Sequence, residues 1–192
     1  MKKEFDLKAI KTLMALLIVE FGGDVSEPGL IETPMRSAKM WAEMLEGMLY
    51  TNDEIATMFD KSFKDVESGD LVIVNDISIF SFCEHHIALM YNMKVSIGYI
   101  PNGKVLGLSK FARISEMVGK RLQLQERIGH DINEIIRKVT GSDNVIVTIS
   151  GEHSCMTARG IKKTGTVTKT SSLYGAFKSD SDLRKEFYSL LK

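Results

Sequence analysis

Both cysteines of this 192-residue chain, and three of its four histidines, fall in two short windows: Cys83-Glu84-His85-His86 and His153-Ser154-Cys155. Thiolate and imidazole are the ligands zinc prefers, and Cys83, His86 and Cys155 would make a set of three with one position left open. An open position is how a protein keeps a reactive water on the metal in place of a purely structural ion. Other readings fit the same residues. A free cysteine often serves as a small buried hydrophobe, Cys83 and Cys155 could pair as a disulfide, and His85 or His153 could complete a closed, structural zinc site. The first two leave the crowding of histidines around both cysteines unexplained.

Glu84 and His85 lie between two candidate ligands, which restricts their orientation once a metal binds. His153 stands two residues before Cys155, and in an extended segment such positions share a face, which would aim His153 at the open position. A histidine there can shuttle protons near neutral pH without being a ligand.

A second signal lies in Gly107-Leu108-Ser109-Lys110-Phe111-Ala112-Arg113. Ser109 reads as a helix N-cap, with Lys110 and Arg113 on neighbouring positions of the first turn, so free backbone N–H groups and two cations make a phosphate seat. Thr33-Pro34-Met35-Arg36 with Lys39 repeats the arrangement, and Arg159 adds a cation four residues after Cys155. Singly, each is ordinary solvated charge; beside a metal site they point to an anionic, polyphosphorylated substrate. Gln125-Glu126 opens a longer helix, where an amide and a carboxylate side by side match the donor edge of a guanine. A first-turn acid favoured by the helix dipole is the ordinary reading of that pair.

The elements that must position these groups follow from periodicity. Leu7 to Phe21 has helical spacing and stops at Gly22-Gly23; Thr33-Pro34 predicts an N-cap followed by proline at the first helical position, and Asn52 to Phe59 a short third helix. Leu71 to Phe82 and Met93 to Ile100 read as strands, with a turn at Pro101-Asn102-Gly103-Lys104. Helices are predicted over Ser109 to Lys120 and Gln123 to Thr140, the second closed by Gly141. Strands over Asn144 to Gly151 and Thr164 to Ser172 and a terminal helix over Ser179 to Lys192 complete the chain. Strand pairs separated by a helix pair imply an α+β fold, an antiparallel sheet with both helices on one face. Residues 1–60 are expected to form an amino-terminal helical region and residues 61–192 the sheet-bearing domain with the candidate site.

Lys+Arg and Asp+Glu are each 25, a balance that argues against a general nucleic-acid binder and leaves room for one local basic pocket. The amino terminus has no signal-peptide pattern and no segment is long enough to span a membrane, so a reducing cytoplasm is the expected compartment.

In combination, Cys83-Glu84-His85-His86, Gly107-Leu108-Ser109-Lys110 with Arg113, Gln125-Glu126-Arg127 and His153-x-Cys155-x-x-x-Arg159-Gly160 resemble GTP cyclohydrolase I. The match extends to Thr33-Pro34-x-Arg36-x-Ala38-Lys39-Met40, Thr170-Ser171 and Gly175-x-Phe177, and covers roughly residues 30–178. The resemblance implies a tunnelling-fold (T-fold) subunit with extra amino-terminal helices, assembled as a homodecamer of two pentamers with active sites at subunit interfaces. It implies zinc on Cys83, His86 and Cys155, water attack at C8 of GTP, protonation of N7 by His153, and help from His85 in ring opening. C8 leaves as formate, and ribose rearrangement yields 7,8-dihydroneopterin triphosphate. Gln125 and Glu126 would hold the guanine, Ser109 the ribose region, and Arg36, Lys39, Lys110, Arg113 and Arg159 the triphosphate. One departure is Leu122 after Arg121, where many relatives have proline.

Rival readings predict other things. A zinc nucleoside deaminase needs His-x-Glu followed by Pro-Cys-x-x-Cys, which this chain does not contain. A zinc-stabilised binding module predicts a closed four-ligand site. A nitrile reductase of the same fold would not need the Cys/His set.

Overall fold

The computed structural model describes residues 4–64 and 69–191, so the first three residues of the amino-terminal segment and Lys192, the expected end of the last helix, lie outside the described residues. The chain forms two compact units, Met1–Tyr50 and Thr51–Lys192.

In the first unit, α1 (Leu7–Glu20) packs against α2 (Thr33–Met44). The Asp6 carboxylate caps α1, accepting from the backbone N–H groups of Lys8 and Ala9 at 3.0 and 2.9 Å. The helix stops as expected at the glycine pair, where Gly22 takes φ +85° and the Gly22 and Gly23 N–H groups return to Val19 and Ile18 carbonyls. Thr33 is not the N-cap of α2. It is the first helical residue, preceded by Glu32, and its hydroxyl donates back to the Gly29 carbonyl at 3.4 Å. A 3-10 turn, Glu46–Leu49, closes the unit.

The second unit begins with α3 (Asn52–Phe59), which opens on a reciprocal cap. The Glu54 N–H donates to the Thr51 hydroxyl at 3.2 Å, and the Thr51 N–H donates to the Glu54 carboxylate at 2.9 Å. Two short strands, β1 (Ser62–Lys64) and β4 (Lys104–Leu106), pair with each other. The main sheet carries β2 (Val72–Cys83), β3 (Ala88–Tyr99), β5 (Leu122–Gln123), β6 (Val145–His153) and β7 (Thr168–Tyr174), in the order β5-β2-β3-β6-β7. Its four long strands are antiparallel, as expected; β5 adds two residues in parallel, Leu122 beside Phe82 and Gln123 beside Cys83.

β3 begins five residues before its alternation becomes legible. The register shifts between Tyr91 and Lys94, where Asn92 takes φ +50°, and this bulge resets which side chains face inward. A bulge between Val74 and Ile77, with Asp76 at φ +57°, does the same in β2.

α4 (Leu108–Gly119) and α5 (Gln125–Thr140) cover one face of the sheet. Phe111, Ile114 and Val118 from α4, and Ile128, Ile132, Ile135 and Ile136 from α5, are fully buried with Val95, Ile97, Val145 and Val147 from the strands. Burying each such side chain contributes about 2 kcal/mol, which makes this layer the principal core. Gln123 does not continue into α5 as its spacing suggested, because it is drawn into β5; the helix starts at Gln125 and ends at Gly141 with φ +67°. The opposite face is covered at one end by α7 (Ala176–Ser179) and α8 (Ser181–Ser189), whose Phe177 and Phe187 pack on Ile146.

Candidate metal centre

Both cysteine windows lie at strand ends, brought together by the β3–β6 pairing. Cys83 is the last residue of β2, and the turn after it is closed by the His86 and Ile87 N–H groups donating to the Cys83 carbonyl at 3.3 and 2.8 Å. His153 is the last residue of β6, paired with Met90 of β3; the chain then turns directly into α6 (Ser154–Thr157), which carries Cys155. The shared face expected for His153 and Cys155 is therefore not formed: the segment is helical after His153, and Cys155 reaches the centre from the helix. Tyr91 holds α6 in place, its hydroxyl 3.1 Å from the Thr157 hydroxyl and donating to Glu152 at 3.4 Å.

The ligand atoms of Cys83, His86 and Cys155 all lie within 4.8 Å of one another. A four-coordinate ion with bonds of about 2.0–2.3 Å would draw these donors slightly closer together, and two thiols with an imidazole suit a borderline-soft dication. No disulfide joins the cysteines. Burial, followed by the neighbouring Cys83, raises the Cys155 thiol above its ordinary pKa. His85 is exposed, its Nδ1 3.7 Å from Cys83 Sγ, and the Arg159 guanidinium reaches His86 Nε2 at 2.6 Å.

His153 is half-buried beside this cluster, and burial lowers its pKa, with Glu126 opposing. Its Nε2 lies 2.8 Å from Gln125 Oε1. Gln125 is only 1% exposed, with its amide nitrogen turned towards Ile149, Thr168 and Thr170. Glu126, the next residue of α5, is exposed.

The remaining candidates are exposed or partly exposed cations on two helices. Gly107, not Ser109, is the N-cap of α4, which puts Ser109, Lys110 and Arg113 within its first two turns. Lys110 Nζ sits 5.8 Å from the centroid of the Phe59 ring. In the first unit, Arg36 pairs with Glu32, and Lys39 is exposed on α2. Sequence reasoning assigned no role to Arg127, which makes a two-pronged pair with Glu84 at 2.6 and 3.1 Å. Its place in the Gln125-Glu126-Arg127 motif was the available signal.

An antiparallel sheet backed by two helices, with a candidate Cys/His/Cys metal centre at its strand ends, defines an α+β protein with a candidate metal site. The family model described as GTP cyclohydrolase I matches residues 10–192, and the chain belongs to that family. It is 55% identical over 180 residues to a GTP cyclohydrolase 1 of Clostridium botulinum (strain Loch Maree / Type A3), covering 91% of this chain and 92% of that one. It is 54% identical over 192 residues to a GTP cyclohydrolase 1 of Ruminiclostridium cellulolyticum, covering 97% and 98% respectively. Among solved structures, an archaeosine synthase QueF-Like in its apo form aligns with TM-score 0.47 and 22% identity, over 57% of this chain and 97% of that one.

Proposed function

We infer that this protein is a GTP cyclohydrolase I: it opens the imidazole ring of GTP by hydrolysis, releases C8 as formate and forms 7,8-dihydroneopterin triphosphate. The observation that carries the reading is the convergence of Cys83, His86 and Cys155 on one point, with His153 beside them, in a chain of this family.

Zinc held by Cys83, His86 and Cys155 would supply water that ionises near neutral pH. His153 is the acid that protonates N7 of the guanine, and the burial that lowers its pKa makes it a readier proton donor. His85, exposed and next to Cys83 Sγ, serves the later proton transfers at the opened ring and ribose. Glu126 faces the donor edge of the guanine, and Gln125 supports the same end of the site. Ser109 meets the ribose region, and Lys110, Arg113, Arg159, Arg36 and Lys39 offset the triphosphate charge. Residues 61–192 hold every one of these groups except Arg36 and Lys39.

We assign the working form to a homo-oligomer, a decamer of two pentamers. In its support, β7 ends the sheet, and most of β2 lies beyond the two-residue reach of β5, so both present strand edges that other copies can cover. A reducing cytoplasm suits the thiol ligands. No helix among the described residues is long and apolar enough to cross a membrane.

The test is to incubate the zinc-loaded protein with GTP while following formate and oxidised-pterin fluorescence. Both should appear, and both should vanish in His153→Ala with zinc retained. GTP bound but unchanged would overturn the assignment.

A further inference from the structure

We infer that Gln125 sets the tautomer and orientation of His153, and that Thr170 secures Gln125 in that task. The inference rests on the cyclohydrolase reading for its catalytic consequence and on geometry alone for the tautomer.

The amide of Gln125 is enclosed by groups whose chemistry fixes which end is which. Its Nε2 lies 3.2 Å from the Ile149 carbonyl, 3.1 Å from the Thr168 carbonyl and 3.2 Å from the Thr170 hydroxyl. Two of these are backbone carbonyls, which only accept, so the NH2 end must face them. The oxygen end is then the one 2.8 Å from His153 Nε2. An amide oxygen also only accepts, so Nε2 of His153 carries a proton. In the neutral ring this leaves Nδ1 as the one nitrogen with a free lone pair, and proton exchange with the substrate runs through Nδ1.

The rest of the fold supports this small assembly. Gln125 is the first residue of α5 and is 1% exposed, so its amide is shielded from competing water. Thr168 and Thr170 lie on β7, in register with Gly151 and Ile149 of β6, the strand that ends at His153. The chain thus brings both ends of the amide to bear on one strand. Gly151 leaves room for it: a Cβ there would stand 3.4 Å from Gln125 Oε1 and 2.8 Å from Met93 Cγ. The Thr170-Ser171 motif, which the sequence singled out without a role, acquires one. The donors of Gln125 are spent on β6 and β7, so the side chain acts on the substrate through His153 and is a positioning residue.

The test uses the zinc-loaded full chain with Gln125→Ala, Thr170→Val and Thr170→Ser. In Gln125→Ala, kcat should fall about 100-fold while KM for GTP stays within about twofold and zinc content is unchanged. Thr170→Val should show a smaller loss of the same kind, and Thr170→Ser, which keeps the hydroxyl, should restore it. Independently of turnover, 15N spectra of histidine-labelled protein, assigned through His153→Ala, should show His153 protonated at Nε2 in the wild type and a mixture of tautomers in Gln125→Ala. Wild-type protein that shows this tautomer but releases no formate would refute the cyclohydrolase reading and leave the tautomer assignment standing. A Gln125→Ala variant with unchanged tautomer, unchanged kcat and KM raised tenfold would overturn the inference and make Gln125 a guanine contact.

Discussion

Arg127, in the first turn of α5, donates two hydrogen bonds to the carboxylate of Glu84, which sits between the candidate ligands Cys83 and His86. The pair ties the loop after β2 to the helix that carries Gln125, and the Glu84 N–H donates to the Gln123 carbonyl at 3.1 Å on the same path. The Arg127 hydrogen bond is the main reason the Glu84 carboxyl lies below its ordinary range. Arg127→Ala should weaken metal binding by about tenfold, because the loop loses its anchor. Thermal stability should hardly change, since the pair is solvent-exposed. Competition against a chelator reads the first effect, and an unchanged affinity would remove the anchoring role.

Metal binding should release protons. The Cys155 thiol is raised first by burial and then by Cys83, so the metal-free protein carries it protonated at neutral pH. A thiolate ligand must lose that proton, and apparent affinity should therefore rise with pH. Zinc titrations between about pH 6 and 8, with proton release measured in buffers of different ionisation enthalpy, check this. Affinity independent of pH would exclude the thiol ligation.

Stability should also depend on His153. Burial lowers its folded-state pKa below the ordinary 6.5, so the unfolded chain binds the proton more readily. The sign follows: the contribution is full above about pH 6.5 and is lost as pH falls through that value towards the folded pKa. Denaturant midpoints of the wild type and His153→Asn should converge as pH is lowered over this range. Parallel curves would show that His153 contributes nothing to the pH dependence.

Two glycines with positive φ should respond differently to alanine. Gly175 has φ +61° and ψ −135°, and a Cβ there would stand 1.9 Å from the Asp143 carbonyl oxygen. Gly103 has φ +70° but nothing within 4 Å of the added atom. Gly103→Ala should cost about 1 kcal/mol, the left-handed penalty alone. Gly175→Ala should cost about 3 kcal/mol or more, since backbone must move as well. Equal losses in chemical denaturation would contradict the clash.

The chain by itself determined the candidate ligand cluster, the helix pair and the antiparallel sheet, because each is written in local terms. Cysteines and histidines at short spacing announce a metal, and the buried isoleucines of α5 recur at helical period. The Gly22-Gly23 and Gly141 stops are matters of backbone freedom, legible without any partner. Tertiary structure decided what depends on neighbours distant in sequence. The bulges at Asp76 and Asn92 reset strand alternation by backbone geometry that composition does not encode, so β3 looked five residues too short. Pairing with Cys83 drew Gln123 out of a helix that its periodicity favoured, because strand hydrogen bonds to β2 outweighed local propensity. The amide of Gln125 faces His153 only because β6 and β7 place two carbonyls and a hydroxyl at its other end, and that orientation belongs to the fold.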